Sequence, residues 1–411
     1  MEMAKNTPLR LFIMMFLQYF MQGAWNMTLG LVLSTFGMSE IIGASYGVLG
    51  LATILSPLFV GMVADRFFPA QKVLGILHII NAGVLLSLPM LVESHNNPMF
   101  LIMLFIVGML FYPTSALANS ISFSHIIGVK LFPVIRVFGT FGFITIGFIL
   151  GEMGLSASVI IWYVASAIAI TFGFYCFTLP ETPPKAKGQK LSLRDLFFLD
   201  ALSLFKDRYF SIYMLCTLFL MIPKTTYVAY VPVFLKSSGF DNAATLLQIG
   251  SVSEILFMFI LSFCLHKFGF KKVIVAGAIG WIFRCLLLSQ ASLDNNAIFI
   301  FTALILHGIC WDFFFTAGDI YVDSKASEKI RSQAQSLRFI VSNGFGVMFA
   351  SFAAGKIFNT TVTDTSPDAL MQWQSFWIYP MIIAVAVSIV FLLFFKDEPL
   401  KNKENRKLEE N

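Results

Sequence analysis

Pro180-Glu181-Thr182-Pro183-Pro184-Lys185 opens a polar interval that runs to Lys206, and almost everything on either side of it is apolar. A bilayer core is about 30 Å thick, so a helix needs roughly 20 largely apolar residues to cross it. Six such runs precede the interval, at 9–33, 41–64, 72–93, 98–122, 133–153 and 156–179. Six follow it, at 208–235, 242–265, 272–291, 296–321, 334–356 and 372–395. With 57% hydrophobic and only 12% charged residues over 411 positions, no soluble domain fits. The pattern predicts an all-α membrane protein with twelve transmembrane helices in two six-helix bundles, 1–179 and 208–395, joined by a linker at 180–207 and closed by a tail at 396–411.

The charges set the direction. Lys and Arg accumulate in short cytoplasmic loops, and an inside N-terminus collects Lys5, Arg10, Arg66, Lys72, Lys130, the 180–208 loop, Lys267, Lys271, Lys272, Lys325, Lys329, Arg331 and the tail on one side. The other side keeps little beyond Lys236 and Lys356. Both termini are therefore expected in the cytoplasm, and the first run, with no small-residue cleavage site, reads as a retained helix in the cell membrane. Within the linker, Leu191 to Phe205 alternates apolar and polar residues at helical spacing, as a helix lying on the inner surface would.

Several function classes drop out. The net charge of +5 follows from the inner-surface bias and implies no nucleic-acid partner. Cys176, Cys216, Cys264, Cys285 and Cys310 lie inside the apolar runs without paired or metal-ligand spacing, so neither a disulfide framework nor a metal site is expected. No glycine-rich phosphate loop is followed by Lys and Ser/Thr, which argues against an ATP-driven pump and leaves a gradient as the energy source. No nucleophile or metal constellation suggests an enzyme, and no cofactor is expected; a monomer is.

The halves overlay at an offset of 200 residues, pairing Gly50, Phe59, Phe68, Lys72 and Val73 with Gly250, Phe259, Phe268, Lys272 and Val273. Transporters built from repeated bundles hold their substrate between the halves near the midplane. The overlay sets Glu254 opposite Ile54, so the acid belongs to the second half alone.

Charges in the apolar runs point to the site, since a carboxylate at the bilayer centre costs roughly 2.5–3.5 kcal/mol. The tenth run carries His307-Gly308-Ile309-Cys310-Trp311-Asp312-Phe313-Phe314. His307, Trp311 and the rings after it share one side; Asp312, Thr316, Asp319 and Asp323 form an acidic stripe. In the fifth run Arg136, Thr140 and Phe143 fall at i, i+4 and i+7, giving a charge, a hydroxyl and a ring on one face. That face suits a polar ligand with an aromatic ring, unless Arg136 snorkels to the surface. Glu254 and Arg284 lie near the middles of the eighth and ninth runs. One assignment pairs Arg284 with Asp312 and leaves Glu254 to bind ligand hydroxyls or carry the proton; the reverse, and a direct Glu254–Arg284 pair, stay open. Gln18, Gln22 and Trp25 form a polar and aromatic stripe that reads as helix-to-helix bonding, and Lys224 is expected to snorkel outward or sit at the outer mouth, with Tyr227 and Tyr230 below and beside it.

The loop Gly61-Met62-Val63-Ala64-Asp65-Arg66 through Lys72 resembles the signature between the second and third helices of the major facilitator superfamily, with Phe68 at the second glycine position. Its implied role is to hold helix ends in one of two states through Asp65 and Arg66. More narrowly, Trp25 to Gly30, the fifth-run motif from Ile135 to Phe143, Ser253-Glu254, Trp311-Asp312-Phe313-Phe314, Ile330 to Gln335 and Asn343-Gly344-Phe345-Gly346 look like the nucleoside:proton symporters of that superfamily. The resemblance covers nearly the whole chain and implies a proton-coupled nucleoside importer. It implies a substrate site of Arg136, Thr140, Phe143, Glu254 and Trp311. His307 stands where the family has Tyr, Ser251 replaces a Gln, and Thr225 and Val228 replace two amides. Amides supply paired donors and acceptors for a base or ribose, so these departures bear on which nucleoside is taken. A sugar or another small polar solute is the alternative.

Overall fold

The computed structural model describes residues 6–126, 131–184, 198–328, 330–366 and 369–397, with the backbone alone at 58–66. Among these residues every regular element is helical. In chain order they are α1 Thr7–Asn26, α2 Leu29–Thr35, α3 Ile42–Arg66, α4 Ala70–Leu85, α5 Leu88–Glu93, α6 Asn97–His125, α7 Phe132–Glu152, α8 Ile160–Cys176, α9 Arg208–Ser237, α10 Ala243–Asp294, α11 Ala297–Ile305, α12 His307–Trp311, α13 Ala317–Lys325, α14 Arg331–Phe339, α15 Val347–Thr361 and α16 Gln372–Phe394. One π-helical turn, Asp312–Thr316, links α12 to α13, and another, Ile340–Gly346, links α14 to α15.

Eight helices of the described residues are long and apolar enough to cross a bilayer, and a ninth span results if the bent pair Ala297–Ile305 and His307–Lys325 is taken as one. Three local features separate this number from twelve apolar runs. The first run is interrupted after Asn26, and α2 resumes at Leu29. The run at 156–179 yields a helix of only 17 residues, α8. The runs at 242–265 and 272–291 fall in α10, whose helical geometry breaks at Gly269 (φ 77°, ψ 172°). Only a residue without Cβ takes that φ cheaply. A Cβ there would also lie 2.7 Å from the Asp397 carboxylate, which accepts the Lys271 N–H at 2.8 Å.

Of the linker, 185–197 lie outside the described residues, and so does most of the expected surface helix. Its end is not α-helical: Phe198 takes φ 53° and Ala201–Lys206 form a 3-10 turn.

The outside of the molecule is apolar. Phe259, Ile298 and Leu393 are 79%, 74% and 69% exposed, and many other large side chains join them. A water-facing surface of this kind would aggregate, whereas lipid is its natural solvent. Inside, Trp25, Trp162, Trp281, Trp373 and Trp377 are fully buried.

The first half packs on the second where side chains are small. α3 lies against α15, α7 against α10, and α2 against α9. A Cβ on Gly43 would sit 2.5 Å from the Gly355 Cα, so only glycine allows that approach. Hydrogen bonds between residues before 180 and after 207 cluster at the same end of the molecule. Thr245 Oγ1 donates to Glu152 at 3.0 Å, the Ala244 N–H to Ser156 at 3.2 Å, Gln248 Nε2 to Met27 Sδ at 2.9 Å and Asn359 Nδ2 to the Glu40 carbonyl at 3.0 Å.

Candidate functional site

The site begins at a break. Between α11 and α12 the chain bends by 42° at Leu306, which frees backbone groups inside an apolar environment. Such groups must be satisfied internally. The Ser253 hydroxyl serves both sides of the break, accepting the Gly308 N–H at 3.2 Å and donating to the Ile305 carbonyl. Gly308 makes this approach sterically feasible, since a Cβ there would be 2.5 Å from the Ser253 carbonyl oxygen. The neighbouring Glu254 is thereby carried up to the start of α12.

His307, the first residue after the bend, is the hub. Arg284 Nη1 lies 3.1 Å from its Nδ1, and the Glu254 carboxylate lies 3.7 Å from its Nε2. Arg has only donors, so Nδ1 accepts and the ring proton belongs on Nε2, facing Glu254. The imidazole also stacks on Trp311, with centroids 5.4 Å apart and planes 16° apart. Arg284 is fully buried, its Cζ 3.3 Å above the Tyr227 ring, and among the described residues its Nε and Nη2 have no hydrogen-bond partner.

Two expectations are corrected here. Arg284 does not pair with Asp312, because the bend presents His307 and Tyr227 to the guanidinium instead. Asp312 sits in the π-helical turn, fully buried; it accepts from Thr316 Oγ1 at 3.1 Å while its Oδ2 has no partner. Lys224 is not at the mouth either. It is 8% exposed, its ammonium 4.4 Å from the Trp311 centroid and 5.1 Å from that of Phe315, donating to Asn343 Oδ1 at 3.1 Å. π-helical turns often mark functional sites, and here Asp312 and Asn343 come one from each.

The rest of the acidic stripe acquires cationic partners. Asp319 pairs with Arg338 at 2.5 Å and Asp323 with Arg331 at 3.2 Å. Arg338 also donates to the Phe315 carbonyl at 2.9 Å.

The residues of α7 stand apart from this hub. Arg136 is exposed, donates to the Tyr19 hydroxyl and lies 5.0 Å over that ring; its charge also reaches Asp319. Thr140 and Phe143 are half-buried, Phe143 close against Gly23 of α1. Thr225 is buried, its hydroxyl without a partner among the described residues, and Ser251 is half-buried on α10. Gly61, Asp65 and Arg66 lie on the C-terminal part of α3, where their side chains are outside the described residues; Lys72 is exposed on α4.

Sequence reasoning assigned no site role to Tyr19 or Arg338, showed Asn343 only as part of a motif, and did not reveal the inward role of Lys224. A signal existed for the last: Lys224 and Tyr227 are three apart, one face of α9. The polar stripe on α1 is partly helix-to-helix bonding, with Gln18 bridging Thr114 at 2.7 Å and His78 at 3.1 Å.

The profile of the nucleoside H+ symporter family matches residues 5–399. The putative nucleoside transporter YegT of Escherichia coli K12 is 33% identical over 405 residues, 95% of this chain and 94% of that protein. The xanthosine permease of the same organism is 30% identical over 409 residues, covering 95% and 96%. A crystal structure of the nucleoside transporter NupG superposes with a TM-score of 0.84 at 27% identity, covering 96% of this chain and all of that one. A D-xylose–proton symporter structure, at 16% identity and a TM-score of 0.72, shares the fold. The chain belongs to the nucleoside H+ symporter family: it is a multi-pass membrane transporter and not an enzyme.

Proposed function

We propose that this protein imports nucleosides with protons by alternating access, using the His307 hub as the meeting point of substrate and proton. The observation that carries the reading is His307 held between Arg284 and Glu254 while stacked on Trp311. One cluster thus joins an aromatic platform to a carboxylate on a proton-bearing nitrogen. Glu254, Arg284 and Asp312 form the proton-coupling group; Arg136, Thr140, Phe143, Thr225, Ser251, Glu254, His307 and Trp311 line the substrate path. Base stacking on an aromatic ring is worth about 1–3 kcal/mol.

In this reading the chain crosses the membrane twelve times, as six-helix bundles at 1–179 and 208–395, with both termini in the cytoplasm, and works as a monomer. The helix pairs split at Met27–Thr28, Leu306 and Gly269, together with the 17-residue α8, supply the spans that length alone does not count. Gly61, Asp65, Arg66 and Lys72 act as the gating loop. The cross-bonds at Glu40, Glu152 and Ser156 then seal the outer side, so the state described is open inward.

The test is uptake of labelled uridine, adenosine and xanthosine into proteoliposomes, with and without an inward proton gradient, for the native chain and Glu254→Gln. Gradient-stimulated uptake that collapses in Glu254→Gln is the expected result. Uptake of none of the three by folded native protein refutes the reading and turns the search to sugars.

A further inference from the structure

We infer that Lys224 is a specificity residue that selects nucleosides whose base carries a negative charge. The inference rests on the nucleoside reading above and narrows its substrate class. Lys224 is 92% buried, yet among the described residues no carboxylate lies within ion-pair distance of it. The two carboxylates whose charge reaches it are engaged elsewhere: Asp319 with Arg338 at 2.5 Å, Glu254 facing His307 at 3.7 Å. Arg338 itself adds a like charge to the surroundings. The ammonium has three donors and makes one hydrogen bond, to the neutral Asn343 amide at 3.1 Å.

A cation left in this condition needs a counter-charge or a task. The Trp311 and Phe315 rings, 4.4 and 5.1 Å away, give it cation–π contact but no neutralisation. Trp311 is half-buried and stacks with His307, so a base reaching that ring arrives beside the Lys224 ammonium. A neutral base offers it carbonyl oxygens; an ionised base offers a full charge in a dry site, where the pairing is strongest. The fitting ligand class is a 2,6-dioxopurine nucleoside, which loses a ring N–H proton near neutral pH. The same purine without the 2-oxo group stays neutral and is the matched control.

Binding of xanthosine and inosine to the detergent-purified full chain, by calorimetric titration at pH 7.5 and 5, tests this. The native chain is expected to favour xanthosine at pH 7.5 and to lose that preference at pH 5, where the base is neutral. Lys224→Met should lower the xanthosine-to-inosine affinity ratio by about tenfold or more, the scale of one charge-assisted bond, and Lys224→Arg should keep part of it. A ratio unchanged by Lys224→Met, or a native ratio insensitive to pH, overturns the role of Lys224 and leaves nucleoside transport standing. A 5′-monophosphate that binds more tightly than its nucleoside moves the anion from base to phosphate and overturns it too. Failure of native protein to bind any nucleoside refutes the underlying reading itself. Should Lys224→Met not fold, the xanthosine-to-inosine ratio of Lys224→Gln decides in its place.

Discussion

Arg284 holds a full charge in the dry interior with one hydrogen bond, the rings of Tyr227 and Trp281 and, among the described residues, two unpartnered nitrogens. Contact with Tyr227 returns about 2 kcal/mol at best, while burying an ion costs several. The residue is therefore a poor stabiliser, and its value lies in fixing the His307 tautomer. Arg284→Met is expected to leave unfolding stability within about 1 kcal/mol of native, or above it. Uptake should fall about tenfold or more, as for loss of one charge-assisted bond. Thermal unfolding and proteoliposome uptake on the same preparation check both halves; a collapse in stability with uptake per folded molecule preserved would refute the assignment. The charge at position 284 is plain in the sequence because it interrupts an apolar run. Its partner is not, since three acids and a histidine lie within plausible reach and only the bend at Leu306 selects among them. Lys224 was misplaced for a related reason: snorkelling depends on depth and direction, which a span with uncertain ends does not fix.

At the scale of elements, the helices show where hydropathy alone goes astray. Length and apolarity mark the long rods well, but the breaks at Met27–Thr28, Leu306 and Gly269 depend on φ/ψ and on side chains arriving from elsewhere, such as Ser253 and Asp397. The start of α9 is a simpler case. Asp207 caps it, accepting the Tyr209 and Phe210 N–H groups at 2.7 and 3.1 Å, and pairs with Lys325 at 2.6 Å. Partial burial pushes the Asp207 carboxyl upward, but the Lys325 ammonium and the two N–H groups outweigh it and hold it below the ordinary carboxylate value. A depressed pKa stabilises the fold above the unfolded-state pKa and loses that contribution as pH falls through the folded one. The melting temperature of Asp207→Asn should thus trail the native value at pH 7, and the gap should close in acid. A gap independent of pH would mean that the charge of Asp207 contributes nothing and that the ion pair is idle.

For the whole molecule, the all-helical, lipid-facing architecture and the buried charges at Arg284 and Asp312 were legible because both rest on gross hydropathy. The contact between halves was not, because glycines such as Gly43 and Gly355 read as ordinary small residues until their helices are seen to cross. Gly43→Val should overpack the crossing of α3 and α15 at a cost of about 1–3 kcal/mol to the state described. The variant should melt lower and transport slowly, and restored uptake without a lower melting point would argue against a tight crossing there.

Where backbone meets backbone, no side chain can swing aside. The crossing at Gly43 and Gly355 therefore lacks a latch that a rotamer flip could lift, and separating it requires whole helices to tilt apart within the lipid. Such motion displaces the surrounding acyl chains, so the stiffness and thickness of the host membrane enter the work of each turnover. The bilayer is in this sense a mechanical component of that separation.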